Sequence, residues 1–136
     1  MPFVKVYIHF VWTTKYREPL LDSPELRRIV WKHMRENALE KGIFVDMING
    51  YSDHCHCLVS MEIKQSMSSV MQLIKGESSY WINKHALCTN RFEWQDEYYA
   101  VSVSEPILRK VRHNIKNQEN HHKKKTLQQE IDQMVE

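Results

Sequence analysis

Glycine and cysteine are both scarce in this 136-residue chain, and each scarcity excludes a class of protein. With only three glycines, the chain contains neither GxGxxG nor a P-loop, so the common glycine-rich loops that bind nucleotide phosphates are excluded. The three cysteines, Cys55, Cys57 and Cys88, are an odd number, which does not build a disulfide framework. Reduced thiols are typical of a cytosolic protein.

Long apolar runs are also lacking. No segment approaches the ~18 consecutive apolar residues of a membrane-spanning helix, and Lys5 and Lys15 interrupt the N-terminal segment, where a signal peptide would be apolar. Hydrophobic residues make up 42% and charged residues 26% of the chain, proportions typical of a soluble globular protein. We therefore expect one domain spanning residues 1–136, located in the cytoplasm and without a membrane partner.

Positive charge is concentrated near the C-terminus, although the net charge is only +2. Between Arg109 and Lys125 the chain has seven Lys or Arg residues and one acidic residue, Glu119. This leaves 12 of the 19 basic and 16 of the 17 acidic residues elsewhere. A basic segment of this kind is either a solvated helix face or a surface that binds a polyanion.

The first half of the chain alternates between strand and helix patterns. Apolar residues alternate strictly over residues 3–13, which is typical of a half-buried strand. Ser23–Pro24 is a helix start, with serine as the N-cap and proline in the first turn, and Gly42 marks the end of that helix. Residues 43–50 and 54–63 are then predicted to form a pair of strands.

The second half repeats the alternation. Asn49–Gly50, a common hairpin turn, is expected to join the two strands. Ser66 begins a second helix, residues 92–103 form an aromatic-rich fourth strand, residues 104–106 cap a third helix, and Thr126 begins a short last helix. Helical spacing places these residues, among others, on the buried faces of the first three helices: Ile29, Met67 and Ile107.

The order β-α-β-β-α-β predicts an α+β fold of the ferredoxin-like, split-βαβ type. It has an antiparallel sheet with helices on one face, and here it carries extra C-terminal helices. Many unrelated functions use this fold, so the function has to be argued from particular residues.

The segment YSDHCHCLVS (51–60) places two histidines and two cysteines in alternation. Because side chains alternate across a strand, His54 and His56 share one face while Cys55 and Cys57 share the other. A four-ligand metal site is therefore geometrically poor, and a redox pair is weak because the cysteines do not form CxxC. We expect the cysteines to pack in the helix-covered core and the histidines to lie on the open face.

Two imidazoles at positions i and i+2 either chelate one divalent metal from one side of the strand or are two unrelated histidines. Asp53 is placed to orient a ligating imidazole through a hydrogen bond. On the third helix, residues four apart share a face, so Asn114 and Gln118 point together. Gln118 is either an oxygen ligand or a solvent-exposed side chain.

Five segments, in order along nearly the whole chain, carry a family resemblance. They read IHFVWTTKYREP (8–19), GYSDHCHCLVS (50–60), IKGESSYWINK (74–84), WQDEYYAVSVS (94–104) and IKNQENHHKKKT (115–126). Together they resemble the single-tyrosine HUH transposases of bacterial insertion sequences, whose relatives include the REP-associated tyrosine transposases. The His-x-His element alone is weakly specific, whereas five collinear segments are strongly so.

The resemblance implies a homodimer that binds short hairpins in single-stranded DNA and cuts a nearby phosphodiester bond. In the family, a helix-borne tyrosine attacks the phosphate, which forms a 5′-phosphotyrosine and releases a 3′-OH. Two histidines and a glutamine hold Mg²⁺ or Mn²⁺, and by position these are His54, His56 and Gln118.

Two positions depart from the family pattern: Glu97, where the family usually has glycine, and the position of the nucleophile. The family nucleophile stands four residues before the glutamine, and this chain has Asn114 there. An amide cannot attack phosphorus as a phenolate does, so the resemblance implies a chain deficient in cleavage.

Basic and aromatic residues indicate how DNA would be held. Phosphate contacts are expected from basic and polar side chains: Lys15, Arg17, Lys75, Arg112, Lys116, His121, His122, Lys123, Lys124 and Lys125. Four aromatic residues are candidates for stacking on bases, although most aromatic residues of strands and helices belong to the core: Trp12, Tyr16, Trp81 and Trp94.

Two other functions remain open. A domesticated, non-catalytic protein that binds DNA hairpins would bind DNA without cutting it. A small metal-dependent hydrolase that uses water bound at His54 and His56 would turn over a small ester and ignore DNA. The basic C-terminal segment and the family resemblance favour a DNA partner over the hydrolase.

Overall fold

A computed structural model describes residues 4–118 and 127–134. The strands and helices follow in the predicted order: β1 (Val6–Thr13), α1 (Pro24–Glu40), β2 (Phe44–Tyr51), β3 (His54–Met61), α2 (Met67–Lys84), β4 (Tyr99–Val103), α3 (Leu108–Lys116) and α4 (Leu127–Met134). None of the helices among these residues combines the length and the apolar character needed to cross a lipid bilayer.

The four strands form one antiparallel sheet in the order β2-β3-β1-β4. The two central strands, β1 and β3, are neighbours in space although α1 and β2 separate them in sequence. This is the strand order of a split βαβ unit, which confirms the predicted ferredoxin-like α+β fold.

One face of the sheet carries the main hydrophobic core beneath α1 and α2. Phe10 and Trp12 of β1 pack there with Cys55 and Cys57 of β3, and all four are almost completely buried. Burial raises the pKa of the Cys55 thiol well above its usual value and that of Cys57 to about 12. The prediction that these cysteines pack as small apolar side chains is therefore confirmed.

The opposite face of the sheet is covered by the C-terminal helices. Leu108 and Ile115 of α3 pack on Leu58 of β3, while two residues of α4, Leu127 and Ile131, pack on Val11 of β1. The expectation that His54 and His56 lie on an open face is therefore wrong, because α3, Gln118 and α4 cover that face of the sheet: the two histidines are 0% and 2% exposed.

The starts of α1 and α2 agree with the sequence pattern. The Ser23 hydroxyl accepts a hydrogen bond from the Leu26 amide, with Pro24 in the first turn. The Ser66 hydroxyl accepts one from the Ser69 amide in the same way. Each serine satisfies an amide that has no partner within its helix.

The hairpin between β2 and β3 turns at Ser52 and Asp53, not at the predicted Asn49–Gly50. Gly50 lies within β2 and pairs with Cys55. A Cβ at Gly50 would lie 2.2 Å from the His54 carbonyl oxygen and 3.0 Å from a Trp31 ring carbon. This glycine permits a close approach of two strands and a helix, which local turn preferences do not reveal.

Other predicted boundaries differ from the structure, including the ends of β2 and β3 by one or two residues. The fourth strand begins at Tyr99, because residues 92–98 form an irregular segment, joined by an isolated bridge between Trp94 and Thr14, the residue that follows β1. Helix α3 begins at Leu108, after a 3-10 turn over Glu105–Ile107. β1 begins at Val6, and the predicted helix start at Thr126 lies outside the described residues.

Three predicted core residues are exposed. Ile29, Met67 and Ile107 are 52%, 46% and 47% exposed. Each stands at one margin of an apolar helix face. Neighbours of these residues are buried instead, including Arg27 in α1 and Leu108 in α3, because the angle at which a helix meets the sheet decides which margin is covered.

Candidate metal centre

His54 and His56 lie on the same face of β3, as predicted from their spacing. They pair with Thr13 and Val11 of the neighbouring strand β1. Their ring centroids are 5.2 Å apart and the rings are nearly perpendicular. The sheet therefore fixes the separation of the two imidazoles.

The ring of His54 is oriented by Asp53, the last residue of the turn between β2 and β3. The Asp53 Oδ1 lies 2.8 Å from the Nδ1 of His54, and its Oδ2 accepts hydrogen bonds from the Arg17 guanidinium at 3.2 and 3.3 Å. Partial burial of Asp53 favours its neutral form, but the hydrogen bonds and charges of His54 and Arg17 outweigh it and lower its pKa. An ionised Asp53 accepts the Nδ1 proton, which places the second ring nitrogen, Nε2, away from the turn.

The ring of His56 has an equivalent neighbour on β1. The His9 Nε2 lies 3.0 Å from the Nδ1 of His56, and His9 is 7% exposed. His9 is not among the site residues predicted from the sequence. Its signal is the alternation of β1, which places His9 on the same face as Val11, the residue opposite His56.

Gln118 completes the group from the end of α3. Its Oε1 lies 3.3 Å from the Nε2 of His54, and its Nε2 donates a hydrogen bond to the backbone carbonyl oxygen of Asn114 at 3.1 Å. Gln118 is 2% exposed. The bond to Asn114 fixes the orientation of the amide, so that oxygen and not nitrogen faces His54.

Two contacts hold α3 against β2. Arg112 makes a bidentate ion pair with Asp46, with both N···O distances 2.8 Å, and Asp46 lies at an irregularity of β2 between Val45 and Met47. The Asn49 amide donates to the Lys116 carbonyl at 3.1 Å. These contacts fix the last turn of α3 and thereby the position of Gln118.

Two imidazoles and one amide oxygen form a possible donor set for a divalent ion. Two neighbouring ligands of an octahedral ion at about 2.1 Å lie about 3 Å apart, close to the 3.3 Å between His54 Nε2 and Gln118 Oε1. Within residues 4–118 and 127–134, no three or more His, Cys, Asp or Glu side chains could hold a metal. The amide oxygen of Gln118 is placed beside His54, where it can join the two histidines as a ligand.

The basic residues predicted to contact DNA lie in different surroundings. Lys15 pairs with Glu93 at 3.3 Å, and Arg17 pairs with Asp53 at 3.2 Å. Lys75 donates to the carbonyl oxygens of residues 95–97, and its partial burial lowers its pKa.

The remaining predicted contacts divide between α3 and the segment 121–125. The guanidinium of Arg112 is engaged by Asp46, and Lys116 is exposed. The other five lie outside the described residues: His121, His122, Lys123, Lys124 and Lys125.

The aromatic candidates for stacking on bases differ in exposure and in their contacts. Trp12 and Trp94 are 1% and 7% exposed and belong to the core. Trp81 stacks on His33 with centroids 3.8 Å apart. Tyr16 is 81% exposed.

The chain matches the family of IS200-like transposases (Y1_Tnp) over residues 2–118. It belongs to this family. The match includes the positions of His54, His56, Asn114 and Gln118. Curated relatives include transposases for insertion sequence element IS200 from Salmonella typhimurium and Salmonella typhi. Each is 30% identical to this chain over 115 residues, which cover 81% of the chain and 74% of the relative.

Solved structures with the same fold include a provisionally named transposase from Deinococcus radiodurans. It has a TM-score of 0.68 and 21% identity, over 86% of this chain and 93% of that chain. Another is a REP-associated tyrosine transposase bound to a REP hairpin. It has a TM-score of 0.56 and 15% identity, over 85% of this chain and 66% of that chain.

Proposed function

We propose that this IS200-like family member binds hairpin-bearing single-stranded DNA beside a Mg²⁺ or Mn²⁺ held by His54, His56 and Gln118. We further propose that Asn114 leaves it unable to cut that DNA. The observation that carries the proposal is the pair of contacts made by the Gln118 amide, to His54 on one side and to Asn114 on the other. The Gln118 side chain thus lies between the His54 ring and the backbone carbonyl of Asn114.

The chemistry of the residues supports a phosphate ligand. A divalent ion, when bound, neutralises phosphate charge and polarises the P–O bond. Asp53 and His9 contact the Nδ1 atoms of the two histidines, an arrangement that leaves Nε2 as the ligating atom in each ring. A carboxamide at position 114 can donate or accept a hydrogen bond, but its nitrogen is delocalised into the carbonyl and does not attack phosphorus.

A hairpin partner is supported by family membership and by the relative of similar fold that was solved with a REP hairpin. The exposed Lys116 and the basic stretch 123–125 provide charge for phosphates. The same reasoning supports a homodimer, because β2 and β4 are the edge strands of the sheet and exposed edges invite pairing.

The test uses the full chain and labelled single-stranded oligonucleotides from the flanks of the native locus. We expect mobility shifts with hairpin-bearing oligonucleotides that weaken as salt rises, and no covalent adduct on a denaturing gel in Mn²⁺. An unstructured oligonucleotide of equal length is the control. Equal affinity for both oligonucleotides would contradict hairpin binding, and an adduct with the unmodified chain would contradict the role of Asn114.

A further inference from the structure

The backbone is strained immediately after β1. Tyr16 has φ 57° and ψ 16°, and Arg17 has φ 56°. This left-handed region favours glycine, because a side chain there brings Cβ close to the following carbonyl oxygen. Two consecutive residues with side chains in this conformation therefore raise the free energy of the folded state, and such strain is concentrated at functional sites.

Contacts on both sides hold the strained pair in place. The Thr14 amide donates to the Asp53 carbonyl at 2.8 Å, and the Thr14 hydroxyl donates to the Glu18 carbonyl at 2.7 Å. The Lys15 amide donates to the Glu93 carbonyl at 2.9 Å. Thr14 is fully buried. The surrounding structure thus imposes this turn, and the ring of Tyr16 is presented in one place.

The ring of Tyr16 is stabilised little by burial in the fold. Tyr16 is 81% exposed, the highest value among the large hydrophobic side chains of the described residues. It borders a groove of about 630 Å³ between the start of α2 and residues 91–98. It also borders a smaller cavity of about 260 Å³ beside Tyr99 and α4. Burial of the ring therefore does not offset the strain.

The turn is connected to the candidate metal centre. Arg17 contacts Asp53, and Asp53 contacts His54. Lys15 lies 5.7 Å from the Tyr16 ring centroid, and its exposed ion pair with Glu93 is of a kind that contributes little to stability. An exposed aromatic ring with a lysine beside it, linked through Arg17 and Asp53 to His54, matches the pattern of stacking platforms for unpaired bases.

We propose that Tyr16 stacks on an unpaired base of the single strand that flanks the hairpin, with Lys15 and Arg17 beside its phosphates. This inference rests on the proposed function. It adds a subsite for single-stranded DNA that is separate from the candidate metal ligands. The platform is not base-specific, since every base presents a π-face.

The binding test compares a hairpin carrying a single-stranded flank with the same hairpin lacking the flank. Tyr16→Ala is expected to weaken binding of the flanked hairpin about 5- to 150-fold, to leave the bare hairpin unchanged, and to be rescued by Tyr16→Phe and Tyr16→Trp. The matched control is Tyr80→Ala, since Tyr80 is 64% exposed and has Lys84 5.9 Å from its ring. Equal losses in Tyr16→Ala and Tyr80→Ala, or no loss in either, would overturn the platform.

Stability separates a binding role from a structural one. Tyr16→Gly removes the conformational strain, so its thermal midpoint should equal or exceed that of the wild type while flank binding is lost. A clear fall in the midpoint would show that the ring supports the fold and would overturn the proposal. Failure of the wild type to bind either hairpin would refute the proposed function, whereas unchanged flank binding by Tyr16→Ala would refute the platform alone.

Discussion

The His9 Nε2 lies 3.0 Å from the Nδ1 of His56, and both rings are buried on the same face of the sheet. Asp53 occupies the equivalent position beside the Nδ1 of His54. The two candidate ligands thus have a hydrogen-bonding partner each, one from the neighbouring strand and one from the turn. Partners of this kind fix the orientation and tautomer of a ligating imidazole.

We expect His9→Ala to lower the affinity for Mn²⁺ about 10- to 100-fold, as measured by isothermal titration calorimetry. His9→Gln, which retains an acceptor oxygen, should recover part of that loss. His54→Ala/His56→Ala should abolish binding, and His33→Ala, remote from the site and stacked on Trp81, is the matched control. Wild-type affinity in a folded His9→Ala would show that His9 does not position His56.

Gly50 is expected to be intolerant of a methyl group. Gly50→Ala places a Cβ 2.2 Å from the His54 carbonyl oxygen, and we expect a loss of about 1–3 kcal/mol in the free energy of unfolding. Gly76 of α2 has no atom within 4 Å of the equivalent Cβ, so Gly76→Ala should stabilise by about 0.5–1 kcal/mol. Urea denaturation measures both, and equal effects would contradict the close approach at Gly50.

Cysteine reactivity tests the assignment of the two sheet faces. Cys55 and Cys57 are buried and their thiol pKa values are raised by burial, whereas Cys88 is partly exposed. A thiol-specific chromogenic reagent at pH 8 should label Cys88 alone in the native protein and all three thiols in denaturant. Cys88→Ser should remove the native signal. Rapid native labelling of Cys55 or Cys57 would place them on the wrong face.

Assembly is tested by light scattering at micromolar concentration. We expect a species with twice the 16.4 kDa mass of one chain, because β2 and β4 leave two sheet edges exposed. Phe44 at the start of edge strand β2 is 49% exposed, and Phe44→Glu should shift the equilibrium toward monomer if this edge forms the interface. A single 16.4 kDa species in the wild type would contradict the homodimer.

Local patterns were sufficient for much of the fold. The alternation in β1 and the serine caps at Ser23 and Ser66 act within a few residues, and they were predicted correctly. The turn was predicted at Asn49–Gly50 and not at Ser52–Asp53. Gly50 is required there by close packing between elements that are distant in sequence, and not by a turn. β4 is shorter than predicted for a similar reason, because the side chain of Trp94 packs in the hydrophobic core and its segment does not continue the strand.

The candidate site shows the same division. The shared face of His54 and His56 follows from spacing alone, and Gln118 was placed near them only through the family resemblance. His9 could not be singled out, because its partner is 47 residues away. The strain at Tyr16 could not be predicted either, since contacts of Thr14 with Asp53 and of Lys15 with Glu93 impose it.

The most direct test of the claim that Asn114 leaves the chain unable to cut DNA is adduct formation by Asn114→Tyr. In Mn²⁺ with labelled hairpin-bearing single strands, the phenol oxygen would bond to phosphorus while the bond to the 3′ oxygen breaks and that oxygen gains a proton. We predict a covalent band on a denaturing gel for Asn114→Tyr, and none for the wild type or Asn114→Phe. A band in the wild type, or none from an Asn114→Tyr protein that still binds Mn²⁺ and DNA, would contradict the account.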